Sequence, residues 1–134
     1  MRNSDNVCHV AVPCLDLDKS VEFYVYKLGC RLARRYHDRI TLDFFGDQLV
    51  CHLSTEDKID KKPEAYPRHF GITFKNKEEF DQLVHLVKER KIEVFEEVFS
   101  RFKGLVEEHL SFMIKDPANN LIEFKWYKDP RMMY

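Results

Sequence analysis

Four residues of metal-binding type, His9, His52, His69 and Glu123, stand at matching places in the two halves of this 134-residue sequence. Each lies on a short apolar run of strand character. In each half, one falls on the run before a helix and the other on the last run. Imidazole and carboxylate donors together suit a divalent transition metal. A duplicated strand–helix–strands unit with two donors from each copy is the expected arrangement, and a metalloenzyme is the leading reading.

Side chains alternate across a strand, so each candidate can be judged by its company. His9 lies with Ala11, opposite Cys8, Val10 and Val12, and His52 lies with Val50 and Ser54, opposite Leu49, Cys51 and Leu53. His69 shares a face with Gly71 and Thr73; Glu123 shares one with Leu121 and Lys125. The opposing faces are large and apolar, suited to pack under a helix, whereas the candidate faces resemble a cavity lining. A lone strand histidine is commonly a hydrogen-bonded core residue, so the ordinary reading stays open. Glu123 resists it more, because an unpaired buried carboxylate is costly unless Lys125 or an arginine pairs with it. His37 and His85 read as surface residues, and His109, at the penultimate strand, is ambiguous and could face a pocket mouth.

The elements that must position these groups follow from periodicity. Val7–Pro13 reads as a strand, and a helix follows through Ser20–Leu28, with Val21, Tyr24 and Leu28 on one face and Gly29 as a left-handed stop. Strands are expected near Arg31–Tyr36, Ile40–Phe45 and Gln48–Leu53, with a tight turn at Gly46-Asp47. Residues 55–67 are charged and without apolar period, which predicts a linker. The rhythm then restarts: strand His69–Phe74, a helix capped at Asn76 with Phe80, Leu83, Val84 and Val87 inward, and strands Ile92–Val98, His109–Lys115 and Leu121–Trp126. The chain is thus expected to be a single domain, 1–134, with modules over 6–54 and 68–128.

An apolar share of 44 %, eleven Phe residues and a net charge of −1 fit one compact domain, α+β by its order of expected strands and helices, without a basic stripe for nucleic acid or a membrane anchor. No apolar run is long enough to span a bilayer, and Met1–Asn6 lacks the run of a signal peptide. Cys8, Cys14, Cys30 and Cys51 show no C-x-x-C spacing; three of them lie in or beside predicted strands and read as small buried residues, and a reducing cytoplasm is expected.

The chain resembles the vicinal oxygen chelate superfamily, which groups glyoxalase I, fosfomycin-resistance transferases, extradiol dioxygenases and bleomycin-resistance proteins. The resemblance is carried by residues 9–24, with His9 opening the first strand and Asp16-Leu17-Asp18-Lys19-Ser20-Val21-Glu22-Phe23-Tyr24 starting the helix. Leu28-Gly29-Cys30 and Asp116-Pro117-Ala118-Asn119-Asn120-Leu121-Ile122-Glu123 continue it, and residues 43–53 look like small predicted dioxygenases of the extradiol type. The resemblance implies two βαβββ modules forming a half-open, barrel-like cavity with helices outside. It also implies a metal held by His9, His69 and Glu123, with His52 as a fourth ligand or a pocket acid/base. A homodimer with composite sites is expected from the same resemblance.

The implied chemistry is that of an open metal binding two adjacent substrate oxygens and acting as a Lewis acid. Fe(II) would suit a dioxygenase; Zn, Ni or Mn would suit a glyoxalase-type isomerase or lyase. Where extradiol enzymes carry an assisting Tyr, this chain has Met113, so His52 or His109 is the expected proton-transfer group. Pocket candidates by strand parity are Asp43, Phe45, Val50, Thr73, Ser111 and Met113, which suit a small substrate. Arg101 and Phe102 are expected in a loop, solvated or covering the cavity. The competing class is a metal-free binder like the bleomycin-resistance proteins.

Overall fold

The computed structural model describes residues 5–134; most of the N-terminal stretch read above as lacking a signal run lies outside them. It divides into two units, each built around one four-stranded mixed sheet. One unit runs to Lys62 and takes in Pro117–Asn120; the other comprises Pro63–Asp116 and Leu121–Tyr134. The Pro117–Asn120 turn joins the first unit through two amides: Asn120 donates to the Pro13 carbonyl and Asn119 to that of Asp60, each at 2.9 Å.

In the first unit, β1 (His9–Cys14), α1 (Leu17–Val21), β2 (Arg31–Arg35), β3 (Arg39–Phe44) and β4 (Asp47–Leu53) give the sheet order β1-β4-β3-β2. β1 runs parallel to β4 and the other neighbours are antiparallel. Pro13 sits inside β1 rather than ending it, which an edge strand tolerates because one side of its backbone needs no ladder partner. Asp16 caps α1 by accepting from the Asp18 and Lys19 amides at 2.8 and 3.0 Å. The helix expected over Ser20–Leu28 starts earlier, at Leu17, and widens after Val21 into a π-helical stretch, Glu22–Lys27. That wider turn puts adjacent Phe23 and Tyr24 both in the core, their rings edge-on at 4.9 Å.

The β3–β4 hairpin turns at Phe45-Gly46, one residue earlier than Gly46-Asp47, with both residues at positive φ. This matches the twist that two-residue hairpins prefer, and Asp47 is thereby placed on β4. Burial, helped by the Asp43 charge, pushes the Cys30 thiol up to about 12, so it stays protonated and packs as a small apolar group.

The second unit repeats the order with β5 (Phe70–Phe74), α2 (Lys77–Glu89), β6 (Val94–Arg101), β7 (His109–Lys115) and β8 (Leu121–Tyr127), arranged β5-β8-β7-β6. Asn76 accepts from the Glu78 amide at 2.9 Å and starts α2. Phe80, Leu83 and Val87 on α2 are buried. Phe80 meets Phe74 and Phe112 at ring separations of 6.3 and 5.4 Å, so one face of this sheet lies under the helix. Burying each such ring contributes about 1.5–3 kcal/mol. β6 begins and ends later than Ile92–Val98, which brings Arg101 onto the strand instead of a loop.

The outer strands share an irregularity. The β2–β3 register shifts between Leu32 and Arg34, and the β6–β7 register shifts at Val94/Glu96 and Glu96/Phe99. Among the described residues no helix is long and apolar enough to cross a membrane.

Candidate metal centre

Glu123 is 4 % exposed in the middle of β8, on the sheet face turned away from α2. Its register partners are Gly71 on β5 and Met113 on β7. Gly71 is required there, since a Cβ at that position would overlap the backbone carbonyl of Glu123. The carboxylate has three neighbours. The Ser111 hydroxyl donates to Oε1 at 2.7 Å, the Lys125 ammonium lies 2.9 Å from Oε2, and His69 Nε2 lies 3.1 Å from the same oxygen. Burial pushes the Glu123 carboxyl up, but Ser111, Lys125 and His69 together hold it below the ordinary carboxylate value.

His69 stands just before β5, and its Nδ1 is 2.6 Å from the Ala65 carbonyl oxygen. A carbonyl only accepts, so Nδ1 carries the proton and donates. That leaves Nε2 facing the Glu123 carboxylate, as a lone pair whenever the ring is neutral. Two electron-rich atoms at that separation call for a positive charge nearby, which the Lys125 ammonium supplies on the same oxygen and which a proton on the imidazole or a bound cation would also supply. A backbone carbonyl on the far nitrogen is also the usual outer support of a metal-binding histidine. Tyr66 packs edge-on against the His69 ring at 5.5 Å. Ala65 and Tyr66 lie in a segment without apolar periodicity, so no pattern in the sequence marks them.

The first unit arranges its candidates differently. His9 is exposed on β1, and its Nδ1 lies 2.7 Å from the Gln48 amide oxygen. The parallel register pairs His9 with Gln48 and Pro13 with His52. His9 and His52 therefore share a face but stand about 13 Å apart along the strands at ~3.3 Å per residue. The expected fourth-ligand role of His52 does not survive this spacing, because strand parity fixes a face and leaves the position along it open. His52 is exposed, and its backbone carbonyl accepts from the Ser54 hydroxyl.

Gly71, two residues after His69, pairs with Glu123, and Ala11, two residues after His9, pairs with Val50. Val50 is thus the counterpart of Glu123, and His52 is the counterpart of Lys125. Among the described residues no group of three or more His, Cys, Asp or Glu is assembled as a metal cluster; the structure brings together His69 and Glu123.

The remaining candidates separate by unit. Ser111 and Met113 are fully buried beside Glu123, and Thr73 pairs with Lys125. Val50 is buried between Ala11 and Thr41; Asp43 is ion-paired to Arg31 at 3.0 Å and holds the Gly46 amide at 2.9 Å. Phe45 lies on the hairpin turn and, with Leu28, Gly29, Cys30, Arg31 and Asp43, lines a cavity of about 240 Å³.

His109 pairs with Tyr127, four residues along from Glu123, which places it about 13 Å away on the strand at ~3.3 Å per residue. It is buried, its Nδ1 donates to the Glu107 carbonyl at 2.9 Å, and its ring lies 4.6 Å from that of Tyr127. The proton-transfer role expected of His109 at Glu123 is therefore out of direct reach.

Two βαβββ units, one carrying a buried carboxylate and a histidine on its helix-free face, define a glyoxalase-like fold. Residues 6–124 match the Glyoxalase/Bleomycin resistance protein/Dioxygenase superfamily, and the chain belongs to that family. A solved glyoxalase/bleomycin resistance protein/dioxygenase from Alicyclobacillus acidocaldarius is 60 % identical, with all of both chains covered and a TM-score of 0.95. The genomically encoded fosfomycin resistance protein FosX from Listeria monocytogenes shares the fold at 16 % identity and TM-score 0.71, over 96 % of this chain and 98 % of that one. Among curated proteins, the glyoxalase domain-containing protein RDO1 of Mycosarcoma maydis is 28 % identical over 92 % of this chain and 69 % of its own length.

Proposed function

We propose that the chain is a divalent-metal-dependent enzyme of the glyoxalase/dioxygenase type, acting on a small substrate that chelates through two adjacent oxygens. The orientation of His69 carries this reading: its proton is committed to Ala65 and its Nε2 faces Glu123. His69 and Glu123 would hold the metal, with His9 as the third donor from the first module of the same chain or of a paired copy. A homodimer with composite sites is part of the proposal, as is a cytoplasmic location. The donor set fits Fe(II), Zn, Ni or Mn, and the bound ion would supply Lewis acidity to the chelated oxygens.

The chain's own residues do the rest. Ala65 fixes the imidazole tautomer and Ser111 orients the carboxylate, with buried Met113 as its neighbour across the β7–β8 register. Met113 has no proton to give, so proton transfer would fall to the substrate itself or to a group brought by a paired copy. Both ring cleavage and isomerase or lyase chemistry fit such a site.

One observation favours a second reading. The Lys125 ammonium already neutralises Glu123, as a metal-free small-ligand binder would require. Metal analysis of tag-free protein loaded anaerobically with Fe(II), or with Ni or Zn, separates the two. The enzyme reading predicts about one ion per chain in the wild type and a large loss in H69A and E123Q. Uptake below about a tenth of an ion per chain would leave the binder. Oxygen uptake on catechols and isomerisation of thiol hemiacetals then assign the reaction.

A further inference from the structure

We propose that Arg101, within cation–π distance of the Tyr66 and Phe99 rings, anchors a carboxylate carried by the substrate, making the ligand class a small aromatic acid. This deepens the reading of the Glu123 site and rests on it. Arg31, Arg35, Arg39 and Arg131 each pair with an aspartate. Arg101 is half-buried and has no ion pair among the described residues. Its guanidinium carbon lies 5.0 Å from the Tyr66 ring centre and 5.6 Å from that of Phe99.

The position is on the right face. Arg101 pairs with His109, which pairs with Tyr127, and Tyr127 shares strand parity with Glu123. Tyr66, which carries the guanidinium on its ring, also touches His69. Arg101, Tyr66, His69 and Glu123 therefore form one continuous chain of contacts.

Cation–π attraction to the two rings uses the charge of the guanidinium and not its N–H donors, so the fork stays available to an acceptor. That fork matches a carboxylate in a bidentate pair, and partial burial strengthens the bond. The two rings offer flat apolar surface beside the fork, which suits an aromatic acid better than a free inorganic anion. The ordinary alternative is that Arg101 merely clamps Tyr66 and the segment leading to His69. A clamp has no preference between an acid and its neutral amide.

The test uses the full chain treated with EDTA, with benzoate and benzamide titrated by ligand-observed NMR. The wild type is expected to bind benzoate at least tenfold more tightly than benzamide. R101Q should lose that preference while keeping its benzamide affinity, and R101K should recover part of it. Equal binding of both probes by the wild type, or an undiminished preference in R101Q, overturns the proposal. If R101Q fails to fold, wild-type titrations at low and high salt decide: the preference must shrink with salt, and a salt-independent preference overturns the anchor. Because no metal is present in this test, failed metal uptake by the wild type would defeat the metal reading without altering the benzoate result.

Discussion

His69 and Glu123 face each other at 3.1 Å with the other imidazole nitrogen already committed to a backbone carbonyl. The pair is therefore one positive charge short when the imidazole is neutral. Lys125 supplies a charge on the same carboxylate oxygen, so a metal arriving there must compete with an ammonium.

That competition can be measured. Lys125→Met removes the ammonium and should tighten Zn uptake roughly tenfold, equivalent to about 1.4 kcal/mol. The metal-free variant should melt lower than wild type, since a buried carboxylate loses a neighbour. Competition titrations against a chromogenic chelator would read the first effect and calorimetry the second. Unchanged or weaker Zn binding would remove Lys125 as a competitor.

Ser111→Ala tests the hydroxyl that steadies Glu123. At neutral pH in metal-free protein the cost is expected to be about 1.5–3 kcal/mol, as for other hydrogen bonds to charged groups. The native carboxyl is held below its unfolded value, so its stabilising contribution is full above the ordinary carboxylate range. It fades as pH falls through the lowered native value. The gap between wild type and variant should therefore narrow in acid, which urea midpoints from pH 7 down to pH 2 would show.

Gly71→Ala places a methyl group onto the Glu123 backbone carbonyl. The β5–β8 ladder must open to admit it, at a cost of about 1–3 kcal/mol or more. Hydrogen exchange is the sharper readout: protection should fall first at residues 71–73 and 123–125. Native-like protection in both strands would show that the backbone yields without strain.

Phe80→Ala probes the core beneath the second sheet, where Phe80 touches Phe74 and Phe112. Deleting a ring that is 1 % exposed should destabilise by about 3–5 kcal/mol in chemical denaturation. The same substitution at exposed Phe102 should change stability by no more than about 0.5 kcal/mol.

The order of elements was legible because its signals are local. Alternation marked β5, β7 and β8, and the Asn76 cap with Phe80, Leu83 and Val87 marked α2. Glu123 stood out because a carboxylate inside an apolar strand needs neighbours, and it has three. The registers were not legible. Parity put His9 and His52 on one face, but only the pairing of β1 with β4 shows Gln48, not His52, beside His9. The π-helical stretch and the positive φ at Phe45 run against residue preference, so tertiary packing decided them. Arg101 was misread as a loop residue because the shifted register of β6 breaks the alternation that would have placed it.

Those same shifts fall on β2 and β6, the strands at one margin of each sheet. An irregular strand studded with arginines, as β2 is, or with paired glutamates, as β6 is, makes a poor template for a newcomer's hydrogen bonds. Concentrated solutions of this protein should consequently resist growth into fibrils from those two margins, a protection that straightening either strand would forfeit.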